Sequence, residues 1–168
     1  MLLSWFSLGH PATARADELP PEAPAVLSRF SGQWETQTTI RRQVDSPRVI
    51  DTRGSGECRQ TLEGRYFEFR TRTVPAGQAE LQIMTFDVED GVFRQWVFSS
   101  DGYFHEAQGS WDAATSTLRW TGKTADSSFV ILDRFVSPDR LDWTLRRTNS
   151  AGRLLQTIEG TLTRLKAN

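Results

Sequence analysis

From Trp34 to Arg164 the chain alternates apolar and polar residues in short runs, and almost nowhere at helical spacing. Leu141-Asp142-Trp143-Thr144-Leu145 puts Leu, Trp and Leu on one side of an extended chain, and Asp and Thr on the other. Thr117-Leu118-Arg119-Trp120-Thr121 repeats the pattern with Leu118 and Trp120 inside, and Arg65 to Thr73 repeats it with Phe67, Phe69, Thr71 and Thr73 inside. Successive side chains of a strand point to opposite faces, so each run predicts a strand with one buried and one wet face. Turn residues punctuate the runs at Glu63-Gly64, Pro75-Ala76-Gly77, Asp90-Gly91, Asp101-Gly102, Asp112-Ala113-Ala114, Ala125-Asp126-Ser127, Ser137-Pro138-Asp139 and Ser150-Ala151-Gly152. Strands at this rhythm, with short turns, predict an all-β antiparallel meander of about eight to ten strands.

Such a sheet has one large apolar face, and no run is long enough at helical spacing to make a helix that covers it. The sheet therefore closes on itself as an up-and-down β-barrel or folds over as a sandwich, and sequential hairpins favour the barrel. Ahead of the first strand, Ala25 to Phe30 offers one or two helical turns with Val26, Leu27 and Phe30 on one face, a short plug for one barrel end. The chain of 168 residues suits a single domain, over residues 25–168. Residues 17–24, DELPPEAP, are an acidic, Pro-rich tether. In residues 1–16 the apolar block Leu2 to Leu8 and the A-x-A pattern Ala14-Arg15-Ala16 predict a secretory signal, although no Lys or Arg precedes the block. Export to the periplasm or the medium would follow, with a mature chain starting at Asp17. The block is too short to span a bilayer as a helix.

Charge and composition narrow the function classes. A net charge of −1 and a pI near 6.1 give no field to attract nucleic acid or an anionic membrane. Cys58 is the single cysteine, which excludes an intrachain disulfide and a cysteine zinc site; it reads as a small buried hydrophobe. No G-x-S-x-G, H-E-x-x-H or Gly-rich phosphate loop occurs, and His105-Glu106, being adjacent, face opposite sides of a strand. No catalytic residue, metal ligand or cofactor is therefore assigned. An enzyme would need Asp87, Asp133 and His105 to converge from separate strands.

Gly32-Gln33-Trp34, just after a short helix and opening the first strand, resembles the calycin signature of lipocalins and their relatives. The resemblance implies that Gly32 admits a tight entry, that Trp34 closes one barrel end, and that Arg164 of Thr163-Arg164-Leu165, on the inner face of the last strand, lies across the indole. Phe86-Asp87, Val92-Phe93-Arg94-Gln95-Trp96, Ser100-Asp101-Gly102, Gly109-Ser110-Trp111-Asp112 and Thr163-Arg164 are together similar to a bacterial family of uncharacterised, often exported, calycin-like domains, over roughly Val26 to Leu165. Phe86 stands where that family often has Tyr. A related branch of small barrels binds haem through a histidine. Here only His105 lies outside the leader, and Trp34 is followed by Glu35-Thr36-Gln37 rather than that branch's longer glycine-rich opening.

An inward polar residue in an apolar barrel is costly unless it is paired or meets a ligand. By phase, Arg147 shares a face with Trp143 and Leu145, His105 with Tyr103 and Ala107, and Arg94 with Trp96 and Phe98; one of Asp133 and Arg134 also points inward. The expected function is a non-catalytic carrier for a small apolar or amphipathic ligand. Phe67, Phe69, Trp96, Trp120 and Trp143 would line it, and Arg147 or Arg94 would take a carboxylate by a two-pronged bond. The competing reading pairs Arg94 with Asp87 across the Asp90-Gly91 hairpin, leaves Arg147 at a wet rim and His105 as a satisfied polar residue or a rim residue, and fills the barrel with side chains as a structural or protein-interaction module.

Overall fold

The computed structural model describes residues 22–43, 48–74 and 77–166. A helix, α1 (Glu22–Ser28), precedes ten strands: β1 (Gly32–Arg42), β2 (Arg48–Thr61), β3 (Tyr66–Val74), β4 (Ala79–Asp87), β5 (Val92–Ser99), β6 (Phe104–Asp112), β7 (Thr117–Lys123), β8 (Ser127–Ser137), β9 (Arg140–Asn149) and β10 (Leu154–Arg164). Each strand pairs antiparallel with the next, and β1 pairs with β10 from Trp34↔Arg164 to Arg42↔Gln156, so the sheet is a closed barrel. The meander is as expected, and closure rules out the sandwich.

The helix begins earlier than the sequence reading had it, at Glu22, inside the expected tether. Pro24 lies in its first turn, where a missing N–H removes no intrahelical bond. Residues 1–21, with the expected signal and the rest of the tether, lie outside the described residues. Ala23, Val26 and Leu27 are buried together with Phe30, whose ring meets Phe135 edge-on at 4.9 Å. The helix is the plug of one barrel end, over a core that includes Trp34, Cys58, Phe67, Met84, Leu118, Leu141 and Leu162. Burial pushes the Cys58 thiol up to about 12, which suits a packing role.

Trp34 and Arg164 fasten this plug. They are cross-strand partners, and the Arg164 guanidinium carbon lies 4.1 Å from the Trp34 ring centroid. Arg164 Nη2 donates to the Arg29 carbonyl at 2.8 Å, Trp34 Nε1 to that of Phe30 at 2.7 Å, and Arg164 Nη1 to that of Ser31. Arg164 Nε donates to the Pro138 carbonyl at 3.1 Å. The carbonyls of Arg29, Phe30 and Ser31 follow the helix, and here all three find side-chain donors. The guanidinium must approach Gly32 closely: a Cβ there would come within 2.7 Å of Arg164 Nη1, and the backbone φ of +112° is one that L side chains rarely adopt.

Two substitutions test the closure in urea melts. Trp34→Ala, which removes a fully buried indole, should cost about 3–5 kcal/mol. Arg164→Lys keeps the charge but not the fork, and should cost about 1–3 kcal/mol. A lysine variant as stable as the parent would show that the carbonyl clamp contributes nothing.

Candidate functional site

Register fixes which side chains face the lumen. Ile50, Ile40, Ile158, Leu145, Ile131 and Trp120 are successive partners across β2, β1, β10, β9, β8 and β7, an apolar belt around half the barrel. Phe69, Gln82, Val97 and His105 continue across β3 to β6. Packing along the axis is uneven. At the plugged end Trp34, Phe67, Met84 and Leu118 have no exposure at all. Toward the opposite end the inward side chains of Thr38, Thr52, Thr71, Glu80, Gln82, Trp143 and Ile158 are only partly buried. The interior is therefore closely packed at the plugged end and less completely packed toward the other.

Several large rings lie along the wall. Trp120 faces Gly109, Phe129 faces Gly122 and Trp143 faces Gly160 across neighbouring strands. A Cβ at Gly109 would sit 2.6 Å from Trp120 Cε3, and one at Gly160 would overlap the Trp143 indole. Glycine in a strand commonly marks such a close approach.

Polar groups gather on the inner face of β4, β5, β6 and β9. Arg147 donates through Nη2 to the Tyr103 hydroxyl, and its guanidinium carbon lies 5.2 Å from the Tyr103 ring centroid. The His105 imidazole packs between Tyr103, at 5.7 Å, and Phe129, at 4.7 Å. Burial first, and the Arg147 charge second, pull the His105 pKa down to about 4, so the ring is neutral at pH 7. The Gln95 amide nitrogen donates to Gln82 Oε1 at 3.2 Å. Deeper in, Trp120 Nε1 donates to Asp133 Oδ2 at 2.8 Å, and burial raises the Asp133 carboxyl to about 7. Of the pair left open by the sequence, Asp133 is therefore the inward residue and Arg134 is exposed. Among the described residues, no three His, Cys, Asp or Glu side chains cluster as a metal site, and no helix is long and apolar enough to cross a membrane.

The structure brings His105, Arg147, Trp120, Trp143, Phe67 and Phe69 to the inner face, with Phe67 in the filled end. Arg94 and Trp96 are corrections: they face outward. The inward residues of β5 are Phe93, Gln95 and Val97, whose partners are Phe86, Met84 and Gln82. Arg94 instead meets Asp87 at 3.2 Å, Glu106 at 3.4 Å and Asp90 on the outer surface. Trp96 lies between Ile83 and Glu106 in an outer row, beside the exposed Phe98 and Phe104. The sequence reading missed Gln82, Gln95 and Glu80 inside. Two open grooves of about 800 Å³ each cross the wall, one over β9, β10, β1 and β2 and one over β1 to β5, lined mainly by outward polar residues.

His105 and Asp133 pull stability in opposite directions with pH. A depressed imidazole contributes stability that is present above about 6.5 and lost as pH falls through about 4. A raised carboxyl contributes stability that is present below 3.8 and lost as pH rises through about 7. Relative to the parent protein, His105→Gln should therefore become more stable as pH falls from 6.5 to 4, and Asp133→Asn more stable as pH rises from 4 to 7. Urea melts across this window check both; parallel curves for parent and variant would contradict the burial of that group.

No curated protein matches the chain. Among solved structures, Rv2717c from M. tuberculosis aligns with a TM-score of 0.64 at 15% identity, covering 89% of this chain and all (100%) of its own. The S-type phycobiliprotein lyase CPES from Guillardia theta aligns at 0.59 with 10% identity, covering 86% of this chain and 93% of that one. At such identities the likeness shows the barrel fold alone. The sequence profile that matches residues 20–164 is described as "Protein of unknown function (DUF1579)". A match over that much of the chain settles membership: the protein is a calycin-like barrel of the DUF1579 family.

Proposed function

We propose that the barrel is a non-catalytic binding or carrier protein for a small amphipathic ligand with an anionic end. The observation that carries this reading is the contrast between the fully buried plugged end and the partly exposed inward side chains at the other. A ligand entering the open end would lay its apolar part along Trp143, Ile158 and the isoleucine belt. Arg147 supplies the charge. It is inward and half-buried, and no carboxylate among the described residues lies within ion-pairing distance of it. The other inward arginine, Arg164, is committed to backbone carbonyls. The phycobiliprotein lyase lends the fold to this reading and no substrate. An exported compartment is part of the same proposal, supported by the apolar block and A-x-A pattern of residues 1–16; secreted chains starting at Asp17 in N-terminal sequencing would agree with it.

Binding should change intrinsic tryptophan fluorescence, because Trp143 faces the lumen. Against a panel of fatty, aromatic and terpenoid acids with their methyl esters, Arg147→Met should weaken the acid by roughly 1.5–3 kcal/mol more than the ester. Trp143→Ala should weaken both alike, and Arg94→Met, an outer-face change, neither. A panel that leaves the fluorescence flat would favour the filled module. Equal weakening of acid and ester by Arg147→Met would remove the anion clamp and leave an apolar pocket.

A further inference from the structure

We propose that the lumen selects a two-headed ligand, an apolar molecule with a carboxylate for Arg147 and, a short carbon chain away, a hydroxyl group for His105 and Gln95. This rests on the binding reading above and names the ligand class of the same site.

Among the described residues, the buried side-chain nitrogen and oxygen atoms without a hydrogen-bond partner are Gln95 Oε1, His105 Nδ1, His105 Nε2 and Arg147 Nε. All belong to inward residues of the one polar cluster. Other buried polar groups of the core do have partners: Trp120 Nε1 with Asp133, and Trp34 Nε1 with the Phe30 carbonyl. Gln95 is 3% exposed and His105 9%. A buried polar atom left unpaired is costly, and native interiors seldom tolerate several in one place. A group that completes these bonds on arrival is the economical explanation.

The atoms define what that group is. A neutral imidazole offers one N–H and one lone pair, and Gln95 Oε1 accepts because its amide nitrogen is already donated to Gln82. A hydroxyl both donates and accepts, so it can accept the His105 N–H while donating its own hydrogen bond to Gln95 Oε1. His105 pairs with Val97, two residues from Gln95, so the two are diagonal neighbours across β5 and β6, roughly 7–8 Å apart, and a single group between them could bond both. Arg147 and His105 both pack against the Tyr103 ring. The Arg147 guanidinium suits a carboxylate, which would take the place of the Tyr103 hydroxyl and open the way to His105. A plain alkyl chain in the same place would leave those atoms without partners, so it gains nothing from them.

Calorimetric titration of the whole protein with dodecanoate, and with monohydroxydodecanoates whose hydroxyl is moved along the first half of the chain, tests the proposal. One hydroxylated isomer should bind about tenfold tighter than dodecanoate, or more. His105→Phe and Gln95→Leu should each shrink that preference, and His105→Gln should keep much of it. Tyr103→Phe should tighten every acid, because the competing hydroxyl is gone. If dodecanoate binds as tightly as every hydroxylated isomer, the two-headed ligand is overturned while the carrier reading stands. If neither the acids nor their methyl esters bind the parent protein, both fall. Should a variant fail to fold by circular dichroism, the isomer series on the parent decides alone.

Discussion

The contact between Trp34 and Arg164 holds together two requirements that a barrel of this type must meet at once. The sheet has to close, and one end has to be stopped. Because the two residues are partners in the β1–β10 ladder, their contact exists only when the sheet is closed. Because their donors take the carbonyls of Arg29, Phe30 and Ser31, the same contact holds the end of the helix against the barrel. Phe30 then buries against Phe135, and Arg29 lies over Trp111 and Phe135 at 5.1 and 5.6 Å. Much of the packing at the plugged end follows from this one geometry.

The open end depends on a different constraint, the pairing of large rings with glycine. A tryptophan opposite an ordinary side chain has to project toward the axis, whereas opposite a glycine it can lie back on its neighbour's backbone. Trp143 on Gly160 and Phe129 on Gly122 do this. Lying on the wall, they stabilise it without projecting straight toward the axis. This answers the question posed by so aromatic a chain: rings in number are compatible with a hollow interior when glycines stand opposite them.

The sequence carried the fold well because turns and alternation are local. Each hairpin has its own punctuation, and Trp34 and Arg164 stand at the two ends of the meander. The site was legible only where a strand alternates cleanly. β6 and β9 do, and His105 and Arg147 were read with the correct phase. β5 does not, since Phe93 and Val97 face inward while Trp96 and Phe98 face outward. With apolar residues on both faces, alternation gives no phase, and Arg94 and Trp96 were placed inside. The register of the Asp90-Gly91 hairpin, Asp87↔Val92, would have corrected this. Gln95 was hidden by the same slip. The contact of Arg147 with Tyr103 joins residues 44 apart that are not on adjacent strands, and no local pattern carries it.

The closing ladder also governs how the chain is made. The carbonyl of Ser31 and the guanidinium that holds it are 133 residues apart, so the ladder that seals the barrel joins its first strand to its last. Until β10 emerges, β1 and β9 are open edges with unpaired backbone groups and the plug has no fastening. Such edges are templates for pairing with other chains, and contacts of this range form slowly because the loop they close must be ordered first. A chain stopped before Arg164 would thus be more than a shortened barrel; it would be an adhesive one, and the interval before release of the last strand is when this protein has most need of a chaperone.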